Sequence, residues 1–273
     1  MNRLFVAKKP PFLSSNKFLQ KIKYQMNLKK IGYSGILDPF ASGVLVVASG
    51  SYTKLFSHFD LSKKTYIATL WLGAKSSSLD IENITNIEIT KPVPKIKLLE
   101  VLDSLKGKIT YKPPKFSAKK INGIRAYKLA RENKEVELKA ITSEIFDISI
   151  LNYSHPFLSF KISVSNGTYI RSIGEIIAQK LEVDGALSNL VRVSEGDFVF
   201  DNYKFLNPLD FITYPRIDLS LYENDMRCGK TINTRNLKIL KNCRYIAIFT
   251  DFFSIIEFND FGEIRYILNN VGL

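Results

Sequence analysis

Acidic side chains are nearly missing from the first 59 residues of this 273-residue chain, where Asp38 stands alone among nine lysines and arginines. Cysteine and histidine are scarce throughout, with two of each: Cys228 and Cys243, His58 and His155. Two cysteines cannot build a disulfide framework or complete a four-cysteine zinc site, so a reduced, cytoplasmic setting without a metal is expected. Long apolar runs are lacking as well. The N-terminal "LFVA" is too short for the apolar stretch of a signal peptide, and no run approaches the length of a membrane span. A soluble protein with no membrane partner is expected.

What is there is a sizeable core and a large positive charge. Hydrophobic residues make up 45% and charged residues 24%, the balance of an ordinary globular protein, but the net charge is +13. Such an excess favours a polyanionic partner, nucleic acid above all. Residues 106–131, "KGKITYKPPKFSAKKINGIRAYKLAR", hold nine basic side chains and no acidic one, with Tyr111, Phe116 and Tyr127 interleaved. Cations that neutralise phosphates beside aromatic faces that stack on unpaired bases suit RNA, whereas an ordinary solvated surface mixes its signs. Residues 212–273 are different, with eight basic and seven acidic residues. That leaves +12 of the charge on the first 211 residues. A boundary is therefore expected near "NPLDFITYPRIDLS", where Pro208 and Pro215 stand.

Periodicity predicts a helix over "SSNKFLQKIKYQMNLKK", with Phe18, Leu19, Ile22 and Met26 on one face and a serine ready to cap it. "GVLVVASG" and "KTYIATLWLG" read as strands, "IKLLEVLDSL" as a helix, and "FLSFKISVS" as a half-buried strand. "YKPPKFSAKK" cannot be regular helix, and a short helix is expected around "RAYKLARE". "YIRSIGEIIAQKL" has helical spacing, with Ile170, Ile173, Ile177 and Leu181 facing inward. "RYIAIFTDFFSIIEFND" and "GEIRYIL" make the C-terminal segment a small β-rich unit. Helices and strands mix without a βαβ rhythm, so the fold class is α+β.

Asp38 lies in "GYSGILDPFASGVLVVASGSYTKL", which holds four of the chain's 14 glycines. Glycines permit tight turns and close approach of backbone to a ligand, and the strand that follows is a rigid mount. Asp-Pro also begins many ordinary turns. A lone carboxylate among cations should be ionised at neutral pH, which suits a nucleophile, a base or a structural ion pair alike.

The same stretch resembles the signature of the TruB family of tRNA pseudouridine synthases, approximately G-H-T-G-x-L-D-P-x-A-x-G-V-L. The likeness continues in order along the chain. "KKPPFLSSN" resembles the family's K-P-x-G-x-S-S-N, and "KTYIATLWLG" its tyrosine-bearing strand. "YKPPKFSAKKINGIRAYKLAR" is similar to its RNA-clamping insertion, and "SNGTYIRSI" to its G-T-Y-I-R-[ST] element. The resemblance implies a pseudouridine synthase fold: a mixed, largely antiparallel sheet flanked by helices over residues 1–211, with a small PUA-like β domain over 212–273.

It also implies a reaction and a set of residues. Uridine is isomerised to pseudouridine at position 55 in the tRNA T loop: the bond from ribose C1′ to N1 breaks, the base turns, and C5 takes the place of N1. No cofactor is implied, and a monomer is expected. Asp38 maps to the catalytic aspartate, Arg171 to the arginine that pairs with it, and Tyr66 to the tyrosine against the target uracil. Tyr33, Tyr169, Leu190 and Lys9 map to the pocket, Lys9 as a support for its loop. Lys112, Lys115, Lys119, Lys120 and Arg125 map to the RNA clamp. Tyr33 stands where the family has histidine, Asp80 is the remnant of a more acidic element, and Val191 replaces a common arginine. The alternative is a non-catalytic RNA-binding or tRNA-folding protein on the same scaffold.

Overall fold

The computed structural model describes residues 1–117, 119–121, 123–126, 129, 132, 138–233 and 243–273. Strand β1 (Arg3–Lys9) is followed by helix α1 (Ser15–Gln25), the short strand β2 (Ile31–Tyr33) and β3 (Ser42–Ser49). Ser14 caps α1 from an extended backbone, its hydroxyl accepting the N–H of Lys17, and Phe18, Leu19 and Ile22 are buried as their spacing requires. β1 and β3 pair antiparallel, Leu4 opposite Ala48 and Lys9 opposite Gly43. Phe5, Ala7, Leu45 and Val47 pack with α1. Leu4, Val6, Val44, Val46 and Ala48 pack instead with Ile246, Phe253, Ile255 and Val271 near the C-terminus. The run "VLVVA" is unbroken because alternate side chains enter two different cores.

Further along come β4 (Lys63–Leu72), the β5–β6 pair (Ala74–Ser76 and Ile84–Ile87), α2 (Lys95–Asp103) and β7 (Gly107–Tyr111). The basic segment carries a minimal hairpin, β8 (Lys120–Ile121) with β9 (Ile124–Arg125). Half of "RAYKLARE", including Tyr127, lies outside the described residues. Then follow β10 (Ile141–Ser154), β11 (Phe157–Ser165), α3 (Ile170–Lys180), β12 (Gly185–Glu195) and β13 (Phe198–Val199). The nine-stranded sheet runs β1-β3-β12-β4-β11-β10-β7, with β2 beside β3 and β13 beside β12. Its pairs are antiparallel apart from β12 against β3, where Arg192 lies opposite Gly43.

On β4 the alternation puts Tyr66, Ala68, Leu70 and Leu72 inward, and on β11 Leu158, Phe160, Ile162 and Val164. Leu98, Val101 and Leu102 of α2 and Ile170, Ile173 and Ile177 of α3 complete this main core. The short helix α4 (Glu223–Arg227) leads to an antiparallel sheet of β14 (Tyr245–Ile248), β15 (Phe252–Phe258) and β16 (Ile264–Gly272). Among the described residues, no helix is long and apolar enough to cross a membrane.

Candidate active site

Asp38 sits in the turn between β2 and β3. Two neighbouring glycines allow that turn to press against the sheet below. Gly35 has φ +48°, and a Cβ there would lie 2.6 Å from Glu195 Oε1 and 2.7 Å from Lys64 Nζ. Gly43 has φ +105°, and its Cβ would meet the Arg192 carbonyl oxygen at 2.2 Å. Beneath them lies a buried ionic cluster: Lys64 Nζ is 2.9 Å from Glu195 Oε1, and Arg192 Nη2 is 3.3 Å from Glu195 Oε2. Arg192 also donates from Nε to the Val44 carbonyl and from Nη2 to that of Gly35, and Ser34 donates its hydroxyl to Glu195. Burial lowers the pKa of Lys64, against the attraction of Glu195. The loop therefore stands on charged groups that can relax little without leaving a buried ion alone.

A second buried cation holds the loop from the side. Lys9 is fully buried at the end of β1, and its ammonium donates to the carbonyls of Pro10 (2.9 Å), Leu13 (2.5 Å) and Pro39 (3.1 Å). One lysine thus joins the turn after β1 to the residue after Asp38. Burial brings its pKa down to about 8, against the pull of the Asp38 carboxylate.

Arg171, at the start of α3, meets Asp38 from the other direction. Its Nη2 donates to Asp38 Oδ1 at 2.9 Å, and its Nε lies 2.9 Å from Oδ2 as a charge contact without hydrogen-bond alignment. The guanidinium is 2% exposed, while the Asp38 side chain is 34% exposed. The remaining donors are also engaged: Nη1 with the Ser78 carbonyl at 2.8 Å, and Nη2 with that of Phe116 at 2.8 Å. Nη1 is 3.5 Å from the buried carboxylate of Asp80, which accepts from the Ser78 hydroxyl and the Glu82 N–H. Burial raises the pKa of Asp80. Asp80 is thus the rear support of Arg171, a role its sequence context did not disclose.

The exposed part of Asp38 opens on a cleft of about 670 Å³. Phe12, Tyr33, Ile36, Phe116, Arg125 and Arg171 are among its walls. Tyr33 is half-buried, donates to Asn16 Oδ1 at 2.8 Å, and has its pKa raised by burial against the nearby charge of Arg125. Tyr66 and Leu190 lie deeper, in the core cluster that includes Leu37 and Phe40. Burial raises the pKa of Tyr66, with Arg192 nearby opposing and the Asp38 charge reinforcing the rise. Tyr169, half-buried at the cap of α3, donates its backbone N–H to the Tyr111 hydroxyl, and burial raises its own pKa. Lys112 and Lys115 are exposed and Lys119 is half-buried, none of them on the cleft wall; the side chain of Lys120 lies outside the described residues. Among the described residues, no three His, Cys, Asp or Glu side chains gather as a metal site.

Two features of the site were overlooked in the sequence. Arg192 and Glu195 sit in a stretch, "GALSNLVRVSE", whose polar letters conceal a buried strand. Phe12 occupies the glycine position of K-P-x-G-x-S-S-N and adopts φ 59° there, a conformation costing a non-glycine residue about 1–2 kcal/mol.

This architecture is the pseudouridine synthase fold. It superposes on a chain in the crystal structure of a Cbf5-Nop10-Gar1 complex with a TM-score of 0.67, covering 99% of this chain and 84% of that one at 19% identity. A chain from an H/ACA RNP bound to a substrate RNA containing 2′-deoxyuridine gives the same score, with 99% and 85% covered at 18% identity. Likeness at this identity speaks for fold alone. The family follows from sequence: a model described as TruB family pseudouridylate synthase (N terminal domain) matches residues 23–170, and the chain belongs to that family. It is 51% identical to tRNA pseudouridine synthase B of Helicobacter hepaticus, over 98% of this chain and 95% of the relative. With the protein of the same name from Sulfurovum sp. it shares 48% identity, over 99% and 98%.

Proposed function

We propose that this chain isomerises uridine 55 in the T loop of tRNA to pseudouridine, with Asp38 as the catalytic residue. The observation that carries the reading is the Asp38 carboxylate, fixed by Arg171 yet still a third exposed to the cleft. Breaking the bond from C1′ to N1 builds positive charge on the ribose, and a fixed anion beside the sugar stabilises or captures it. The detached uracil turns, C5 bonds to C1′, and the C5 proton is lost while N1 gains one. The sum is an isomerisation, with no net change of atoms or electrons.

Arg171 holds the carboxylate in place before the charge develops, so little reorganisation accompanies the reaction. Tyr66, buried in the core with Leu190, bounds the base from beneath together with Tyr169. Tyr33 and Arg125 face it across the cleft. The target base must leave its stack to reach Asp38, so the substrate is a loop that can be splayed open. Lys112, Lys115, Lys119, Lys120 and Arg125 grip the stem through phosphates. In this reading residues 1–211 hold the catalytic machinery, with 106–131 as the clamp, and 212–273 form a PUA-like accessory unit. The protein acts as a monomer in the cytoplasm, where unmodified tRNA is met.

Incubation with unmodified transcripts of the organism's own tRNAs, followed by a carbodiimide label selective for pseudouridine and mass-spectrometric mapping of the labelled positions, tests the reading. A single new pseudouridine at position 55 is expected. Product only at other positions, or none, overturns it.

A further inference from the structure

Phe12 breaks two rules in one place. It is 68% exposed, although a phenyl ring gains by burial, and its φ of 59° is one that favours glycine. No core contact compensates, since the ring belongs to none of the apolar clusters among the described residues. Its surroundings do offer a purpose. Phe12 lines the same cleft as Asp38 and Ile36, the latter itself 52% exposed.

The turn is also held in register with the carboxylate. Lys9 donates to the carbonyls of Pro10 and Leu13, on either side of Phe12, and to that of Pro39, next to Asp38. One buried ammonium therefore sets where the ring stands relative to the reacting sugar.

Extruding a nucleotide leaves the bases beside it with an uncovered face. An aromatic ring at the mouth of the cleft is the group that covers such a face, and it does so for any base. We propose that Phe12 stacks on the base adjacent to the extruded uridine and thereby positions that uridine over Asp38. Phe12 is then a positioning and binding residue, not a catalytic one. The inference rests on an RNA loop being the substrate, as proposed above.

Phe12→Gly separates the ring from the backbone, because glycine accepts φ 59° without strain. The variant should be at least as stable as wild type. Its KM and Kd for a T-arm stem-loop transcript should nevertheless rise, by about fivefold to a hundredfold for one missing stack, with the effect carried by KM rather than kcat. Phe12→Trp should retain wild-type KM, and its indole emission should be quenched on binding the RNA; Trp71, the single native tryptophan, supplies the background from wild type. Unchanged KM and Kd in Phe12→Gly, or an unquenched indole in Phe12→Trp, overturns the proposal. Wild-type turnover on the transcript reports separately on the uridine 55 reading. The ratio of variant to wild-type Kd reports on the ring alone, so either can fail without the other.

Discussion

At the scale of single residues, the site depends on two buried cations that tie the Asp38 loop to the segments around it. Arg171 serves Asp38, Asp80 and two carbonyls, and Lys9 serves three carbonyls. The lysine leaves a signature in the pH dependence of stability. Its ordinary pKa of 10.5 falls to about 8 in the fold, chiefly through burial. Between those values the unfolded chain holds a proton that the folded chain has shed, so the Lys9 contribution makes stability rise with pH. The urea midpoint of wild type, taken relative to Lys9→Met, should therefore increase from pH 8 towards pH 10.5; a constant difference would contradict this. Asp38 stood out at this scale as a lone acid among cations in a glycine-rich turn, but only the resemblance to the family singled it out from an ordinary turn or ion pair. Phe12 was missed, because a ring in a glycine position stands out only when one asks what the backbone must do there. The role of Asp80 was hidden, because its partner Arg171 lies 91 positions later and only folding brings the two together.

Among the elements, β1, β7 and β10 were missed, while α1, α2, α3, β3, β4 and β11 could be read directly from their spacing and composition. β12 could not. Its interior residues include Arg192 and Glu195, which pair with each other and with Lys64 from β4, so a buried strand carries the letters of a surface loop. The basic segment is the opposite case, plain in charge and obscure in shape. Lys112 and Lys115 are exposed and outside the cleft, as suits phosphate contacts along a stem. Replacing Lys112, Lys115 and Lys119 with alanine should weaken tRNA binding and reduce the slope of log K against log salt by about 0.9 for each duplex phosphate no longer neutralised. Measuring Kd across a salt series checks it, and an unchanged slope would show that the stem is held by other residues.

Over the whole molecule, the change of composition near residue 211 is real in charge but does not divide the packing. Phe253, Ile255 and Val271 share one core with Leu4, Val6, Val44 and Val46, and β3 in turn carries the Asp38 loop at its start. The near-neutral C-terminal sheet is thus a brace for the strand that mounts the carboxylate. Phe253→Ala should cost about 3–5 kcal/mol and lower the urea midpoint of the entire chain in a single transition. A separate early transition confined to the C-terminal residues would show that the brace is not coupled. Sequence could not reveal this coupling, because an apolar run such as "VLVVA" tells that both faces of a strand are covered without telling by what. The proposed function hangs on one side chain. In Asp38→Asn the carboxylate charge is removed and the shape kept, so tritium release from C5-labelled uridine in a tRNA transcript should vanish while affinity for the same transcript stays within a few-fold of wild type. Continued tritium release by that variant would contradict the assignment of Asp38.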